Sequence, residues 1–339
     1  MKLRTWFAML VVSALALGSG DGAEEVLHRQ SRRIMGSLAE IQVYHADAPL
    51  AARAMSAALD DMQRVDDLLS LYKPASELSR MNAQAAMQPF RASADLYAFV
   101  KQCRAYHDET RGTFDPTMGP IVRAWGFFAP RPAKPDDATA AAAKARSGFD
   151  KVRLDDASQS VSYTVEGVEF DPGGIGKGYA ADRAVAVLRQ HGITSALVSA
   201  GGSTLYGLGR PPGREGWKLA IRNPARPAMA VRYVMLRDSA ISTSGASVKF
   251  VDIDGRRFGH IIDPRTGLPG EQICQVSLTA PTASDSDALA KAAYLLPREA
   301  LETLFALRAG VHVLRVEGRC DSAGAVWASP WSSGVFVEE

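Results

Sequence analysis

Residues 171–179 read Asp171-Pro172-Gly173-Gly174-Ile175-Gly176-Lys177-Gly178-Tyr179, joining a strand-like run that ends at Phe170 to a helix-like run from Tyr179. The glycines free the backbone to take positive φ and let a ligand come close to the main chain. The first amide groups of a helix have no partner within it, which suits a phosphate placed before them. Lys177 adds a point charge and Asp171 a carboxylate acceptor. The stretch is not a Walker A loop, because no Ser or Thr follows the lysine and the glycine spacing differs. Nor is it GxGxxG with an acidic residue about 20 positions on. Taken alone, it reads equally as an anion cradle or as a glycine-rich turn with a solvated lysine.

Outward from this turn, the chain reads as an α+β fold of mixed or antiparallel sheets flanked by helices, since strands and helices do not alternate strictly. Upstream, residues 34–44 read as a strand, with Ile41 and Val43 in alternation. Residues 47–71 read as a helix whose apolar stripe is Met55, Ala58, Met62, Val65 and Leu69, with Asp60, Asp61, Asp66 and Asp67 on a solvated face. Pro74 stops it, and a turn and short helix follow to Asn82. Residues 93–111 read as a second helix, capped by Ser93 and closed at Gly112. The next segment, from Gly112 to Phe127, is too rich in Gly and Pro for a regular element, and residues 129–148 read as a surface excursion with one helix. Short strands then lead into the glycine run.

Downstream, the helix from Tyr179 closes at Gly192. Strands are expected at 195–199, 217–221, 231–236, 249–253, 273–280 and 311–316 and in the tail beyond, with Asp254-Gly255 as a hairpin turn. A helix from 284 to 296, with Ser284 as its cap, and another from 299 to 308 complete the set.

With 339 residues, 47% hydrophobic and 22% charged, the chain can bury a large core, and a net charge of +2 leaves no electrostatic footprint for nucleic acid. Residues 1–23 read as a secretory signal peptide: Lys2 and Arg4, an apolar run from Trp6 to Leu17, then small and polar residues. The expected location is periplasmic, with an uncleaved inner-membrane anchor as the alternative, and residues 24–339 as the mature domain. Cys103, Cys274 and Cys320 lack any zinc spacing. They allow one disulfide and one free thiol, and Cys103 falls on an apolar helix face.

Chemistry concentrates in Thr113/Phe114/Asp115, the glycine run, Ser242–Gly245 and the segment from His260 to Thr266. Together they offer three carboxylates (Asp115, Asp171 and Asp263), a lysine, an imidazole and hydroxyls, as a phosphorylated cofactor with metal chemistry would require. Each aspartate also has a plainer reading as a turn former, and His260 as a structural histidine.

In order along the chain stand MGSLAEIQVY, LSLYKPASELSRMN, GTFDPTMGPIVRAWGF, FDPGGIGKGYAADRAV, GGSTLYGLG, STSG, GHIIDPRTGLP and DALAKAAYLL. From about Ile34 to Leu296 this resembles the FAD:protein FMN transferase family, the ApbE family, whose architecture is T-fold-related with FAD between two lobes. The resemblance implies an exported enzyme that splits FAD with Mg²⁺ assistance and moves FMN to a Ser or Thr hydroxyl of a partner flavoprotein, releasing AMP. It implies FAD contacts at Met35, Tyr72, Thr113, Phe114, Asp115, Asp171, Lys177 and Ile261. It also implies a carbonyl metal contact at Gly174, a metal carboxylate at Asp287 and an active-site histidine at His260.

One position departs from the pattern. The family's Asp-Ala-Leu-x-Thr reads here Asp287-Ala288-Leu289-Ala290-Lys291, and residues four apart share a helix face. Lys291 therefore stands where the third metal ligand is expected, and a charged ammonium has no lone pair to ligate with. Altered metal use, FAD binding without transfer, and near-normal activity are all compatible with this. GGST at Gly201–Thr204, against the family's commoner GGDI, removes a carboxylate. Thr243-Ser244-Gly245-Ala246-Ser247 resembles the Ser/Thr-Gly-Ala-Ser/Thr site of flavin acceptors, and also the family's own TSG loop.

Overall fold

A computed structural model describes residues 24–127, 133–245, 250–253, 256–270, 272–318, 320 and 324–338. The expected signal peptide, Lys249, the Asp254-Gly255 turn and the Ala246-Ser247 part of the acceptor-like motif lie outside these residues.

In chain order the elements are β1 (Val26–Ile34), β2 (Ser37–His45), α1 (Ala48–Leu69), α2 (Glu77–Gln84), β3 (Phe90–Arg91), α3 (Ala94–Glu109), α4 (Gly119–Trp125), α5 (Asp137–Ala145), β4 (Val152–Asp155), β5 (Ser160–Tyr163), α6 (Gly176–Gln190), β6 (Ala196–Ala200), β7 (Thr204–Leu208), β8 (Trp217–Arg222) and β9 (Ala230–Leu236). They continue with β10 (Ser239–Gly245), β11 (Phe250–Ile253), β12 (Arg256–Gly259), β13 (Ile262–Asp263), β14 (Leu268–Pro269), β15 (Ile273–Ala280), α7 (Ala283–Leu295), α8 (Arg298–Phe305), β16 (His312–Glu317), β17 (Ala325–Ala328) and β18 (Phe336–Val337).

The strand order β1-β2-β6-β7-β10-β15-β16-β17 makes an eight-stranded sheet, antiparallel at every pairing. Helices α1, α6 and α7 cover one face, and the small sheet β18-β9-β8 covers the other. Alternation along the central strands divides their side chains between two cores. Ala196 and Val198 face the helices while Leu197 faces the small sheet; Tyr206 and Leu205, Ala240 and Ile241, and Val313 and Leu314 divide the same way. Strands buried on both faces carry near-continuous apolar runs rather than a period of two.

Most elements lie where the sequence places them, and the differences have local causes. The strand expected at 34–44 begins only at Ser37, as β2, because Met35 (φ 51°) and Gly36 (φ 67°) form the tight turn that joins it to the preceding strand β1. Helix α6 begins inside the glycine run, not at Tyr179. The cap of α7 is Thr282, whose side chain accepts from the Asp285 amide, while Ser284 is buried within the first turn. Asp61 is not on a solvated face. It is 1% exposed and paired with Arg183 (3.1 Å) and Arg64, whereas Asp60 and Asp67 are exposed. Residues 119–125 form a short helix. Strands β7 and β10 add to those expected.

A disulfide joins Cys274, at the start of β15, to Cys320, just beyond β16. Cys103 is a free thiol buried in the helical core, and burial holds it well above its ordinary pKa.

Candidate active site

The glycine run folds as two consecutive turns. Asp171 caps a single 3₁₀ turn, Pro172–Gly174, its carboxylate accepting from the Gly173 amide at 2.7 Å. Helix α6 follows at once, with Ile175 in the cap position and no side-chain cap. A Cβ on Gly178 would collide with the backbone carbonyl of Ala283, so glycine is what lets α6 and α7 meet main chain to main chain. That approach delivers the Gly178 amide to the Asp287 carboxylate, 3.1 Å from Oδ2. Asp182, one turn further along α6, accepts from the Ala283 amide at 2.7 Å and the Ser284 amide at 2.8 Å. Burial raises the Asp182 carboxyl pKa, against the pull of those amides. The start of α7 is thereby pinned to the cradle helix.

The other Asp287 oxygen, Oδ1, accepts from the Lys291 ammonium at 2.8 Å. Lys291 also donates to the Asp287 carbonyl and to Ser244 Oγ on β10, each at 3.1 Å, and its side chain is 19% exposed. A Cβ on Gly174 would stand 3.8 Å from Lys291 Cε and 3.2 Å from the Phe114 ring. Gly174, Phe114, Asp287 and Lys291, separated by up to 177 residues in sequence, thus share one corner.

On the other side of the cradle, Lys177 Nζ donates to Ser203 Oγ at 2.9 Å, in the turn between β6 and β7. Gly201 and Ser37 lie beside its stem. Met35 reaches Gly176, whose Cβ would meet Met35 Cε at 3.9 Å. Below the cradle, the Asp171 amide donates to the Pro116 carbonyl at 2.6 Å, which fixes the 113–118 segment alongside. Within that segment Thr113 and Phe114 are buried. Asp115 Oδ1 accepts from the Thr117 amide (2.8 Å) and hydroxyl (2.6 Å), and Oδ2 from the Phe149 amide (3.2 Å). These bonds, with His107 Nδ1 3.6 Å from Oδ2, tie the Asp115 carboxylate to its own turn, to α3 and to Phe149.

Tyr72 is 80% exposed. Its phenol pKa is raised, first by desolvation of the hydroxyl and then by the Asp171 charge, with Arg123 opposing. His260 is half-buried at the end of β12, and Ile261 is buried, its carbonyl accepting from the Gly270 amide at 3.0 Å. This hairpin is tied to α4 by Trp125 Nε1, which donates to the Gly267 carbonyl at 2.9 Å. Arg265 grips Asp263 with two nitrogens at 2.9 and 2.7 Å. Burial alone would raise the Asp263 carboxyl, yet those bonds outweigh it and hold the pKa below its ordinary value.

Several site residues carry no sequence signal of their own. Ser203, in the β6–β7 turn, and Ser244, on β10, hold the two lysines, and Asp182 pins α7 from α6, roles that the motifs containing them do not announce. The buried hydroxyl chain of Thr204, Ser242 and Ser286 (3.1 and 2.7 Å) is visible only once β7, β10 and α7 pack.

The donor set of this corner does not fit a divalent ion as it stands. One Asp287 oxygen holds an amide and the other an ammonium. A divalent ion roughly 3 Å from that ammonium would be opposed by on the order of 10 kcal/mol at an effective dielectric constant of about 20. Among the described residues, no group of three or more His, Cys, Asp or Glu side chains is placed to hold a metal ion.

A profile described as the ApbE family matches residues 35–314. A protein of Treponema pallidum named FAD:protein FMN transferase is 32% identical over 86% of this chain and 85% of its own. One of Salmonella typhimurium with the same name is 31% identical over 85% of each. The crystal structure of the ApbE protein of Thermotoga maritima superposes with a TM-score of 0.81 at 27% identity, covering 90% of this chain and 97% of that one.

Proposed function

The chain belongs to the ApbE family, and from that premise we propose that it is an exported FAD:protein FMN transferase. The observation that carries the proposal is the corner where α6 and α7 meet, which brings together a glycine cradle, a helix start, Asp287 and two lysines. The acceptor is a Ser or Thr hydroxyl in a Ser/Thr-Gly-Ala-Ser/Thr site of an exported flavoprotein. Its oxygen attacks the phosphorus of the FMN half of FAD. The bond from that phosphorus to the bridging oxygen breaks, and AMP leaves with that oxygen. His260 takes the hydroxyl proton.

The amides opening α6 and the Lys177 charge hold the diphosphate, since phosphoryl transfer depends on positioning and charge neutralisation. Met35, Tyr72, Thr113, Phe114, Asp115, Asp171 and Ile261 line the rest of the FAD site. Mg²⁺, which the resemblance implies at Gly174 and Asp287, would supply further charge neutralisation when bound. The present donor set, with the Gly178 amide and the Lys291 ammonium on the two Asp287 oxygens, opposes it.

Residues 1–23 act as the signal peptide, or remain as an inner-membrane anchor, leaving 24–339 as the mature domain in the periplasm. The Cys274–Cys320 disulfide supports an oxidising compartment. Among the described residues no helix is long and apolar enough to cross a membrane.

The test is incubation of the purified chain with FAD and an acceptor domain. A covalent mass increase equal to FMN on the acceptor, with AMP released in equal amount, is the expected outcome; absence of both removes the transferase reading. The Lys291–Asp287 pair favours a second reading, a periplasmic protein that binds and delivers FAD without transfer. It predicts purification as a yellow protein whose FAD is released on acid precipitation.

A further inference from the structure

We infer that Lys291 is itself the resident cation of the phosphate site, so that this protein binds FAD without a divalent ion. The inference rests on the reading of the cradle as an FAD site.

Three observations carry it. The ammonium is held in place rather than trailing into solvent: its three protons have three acceptors, from its own helix and from β10. It lies against the cradle, with Cε 3.8 Å from where a Cβ on Gly174 would stand and the Phe114 ring 3.2 Å from that same point. And it takes up the Asp287 oxygen that a metal ion would need, while the Gly178 amide takes the other. A lysine four residues past the carboxylate on the same helix face is the shortest way to set a fixed positive charge at that spot. Helix α7 is pinned at its start by Asp182, and at its end by the buried Arg315, whose Nε donates to the Ala293 carbonyl at 2.8 Å. The charge is therefore in position before the ligand arrives. With Lys177 on the other side, a diphosphate over the glycine run lies between two ammonium groups and the amides that open α6. Ser244 Oγ, a neutral acceptor, is the partner an incoming phosphate oxygen replaces most readily.

The experiment is equilibrium titration of the purified full chain with FAD, in excess EDTA and in excess MgCl₂. The two dissociation constants are expected within about threefold of each other. Lys291→Met is expected to weaken FAD binding in EDTA by about tenfold or more, the scale of one charge-assisted hydrogen bond. Lys291→Thr, which clears the ammonium and adds a hydroxyl, is expected to bind FAD more tightly in MgCl₂ than in EDTA. Near-UV circular dichroism checks that each variant is folded. Should the variants misfold, Mn²⁺ titration of the wild-type chain with FAD, followed by electron paramagnetic resonance, decides alone; stoichiometric Mn²⁺ binding overturns the inference. FAD binding that requires MgCl₂ in the wild type also overturns it, leaving the transferase reading intact. No FAD binding in either buffer overturns both. EDTA-resistant FAD binding with no FMN transfer supports the inference and removes the transferase reading.

Discussion

The two faces of the central sheet are covered in different ways. On one, Trp217, Leu219, Ile221, Val234 and Leu236 of the small sheet meet Leu197, Leu205, Ile241 and Leu314 in a cluster built of apolar side chains. On the other, the helices bury an apolar core too, but Asp182 of α6 and Ser286 and Asp287 of α7, with Thr204 of β7 and Ser242 of β10, interrupt it. Burying such groups costs stability unless each finds a partner. The small-sheet layer contributes stability with no bearing on ligand, while the α6–α7 layer accepts a polar interior to hold a few groups at one opening.

The comparison breaks if changes on the two sides give the same phenotype. Trp217→Ala carries the largest expected effect, a loss of about 3–5 kcal/mol in denaturant unfolding, because the ring is 3% exposed between the sheets. FAD affinity of the molecules that remain folded should stay at the wild-type value, and a parallel loss of affinity would erase the distinction between the layers. Gly178→Ala adds a single methyl group, yet it forces α6 away from the Ala283 carbonyl. A loss of about 1–3 kcal/mol is expected, together with loss of FAD binding out of proportion to it, since the Gly178–Asp287 contact opens. Wild-type affinity in this variant would mean that the helix contact does not set the site.

The smallest effect sharpens the comparison at the rim. The folded-state pKa of Asp263 is lowered, so its contribution to stability is fully present above the ordinary aspartate value of 3.8 and is lost as pH falls through the lower folded value. Asp263→Asn should remove that acid dependence and cost roughly 0.5–1 kcal/mol at neutral pH, with the two acid-unfolding curves converging once pH has fallen through the lowered folded value. Curves that stay parallel to the lowest pH would show that Arg265 does not stabilise the carboxylate.

Much of this architecture is legible in the sequence where one signal dominates. The α1 stripe of Met55, Ala58, Met62, Val65 and Leu69 buries as its spacing requires, and Ser93 caps α3 by accepting from the Leu96 amide. Legibility fails where a tertiary partner decides. Asp61 looks like its neighbours until Arg183 of α6 arrives. Met35 takes a left-handed conformation that its side chain does not advertise. Strand β10 reads Ser-Ala-Ile-Ser-Thr-Ser-Gly, its hydroxyls facing a buried network instead of water, so no apolar alternation marks it. At the site, the motifs point to the glycine run, to Asp287 and to the oddity of Lys291. The acceptors that hold the two lysines, Ser203 in the β6–β7 turn and Ser244 on β10, emerge only from the pairing of β6, β7 and β10.

The bridge between Cys274 and Cys320 encloses a ring of chain with a sequence separation of 46, and helix α7, with Asp287 and Lys291, lies inside that ring. In the chain-entropy account, closing a loop of this size removes about 4 kcal/mol of freedom from the unfolded chain. The helix that carries the site's charges thus belongs to a covalent circle, while the glycine cradle it completes lies outside. Maturation of the opening is then a meeting of two separately constrained pieces, and a thiol reductant acts on the piece that holds Asp287 and Lys291 without touching any residue of the cradle.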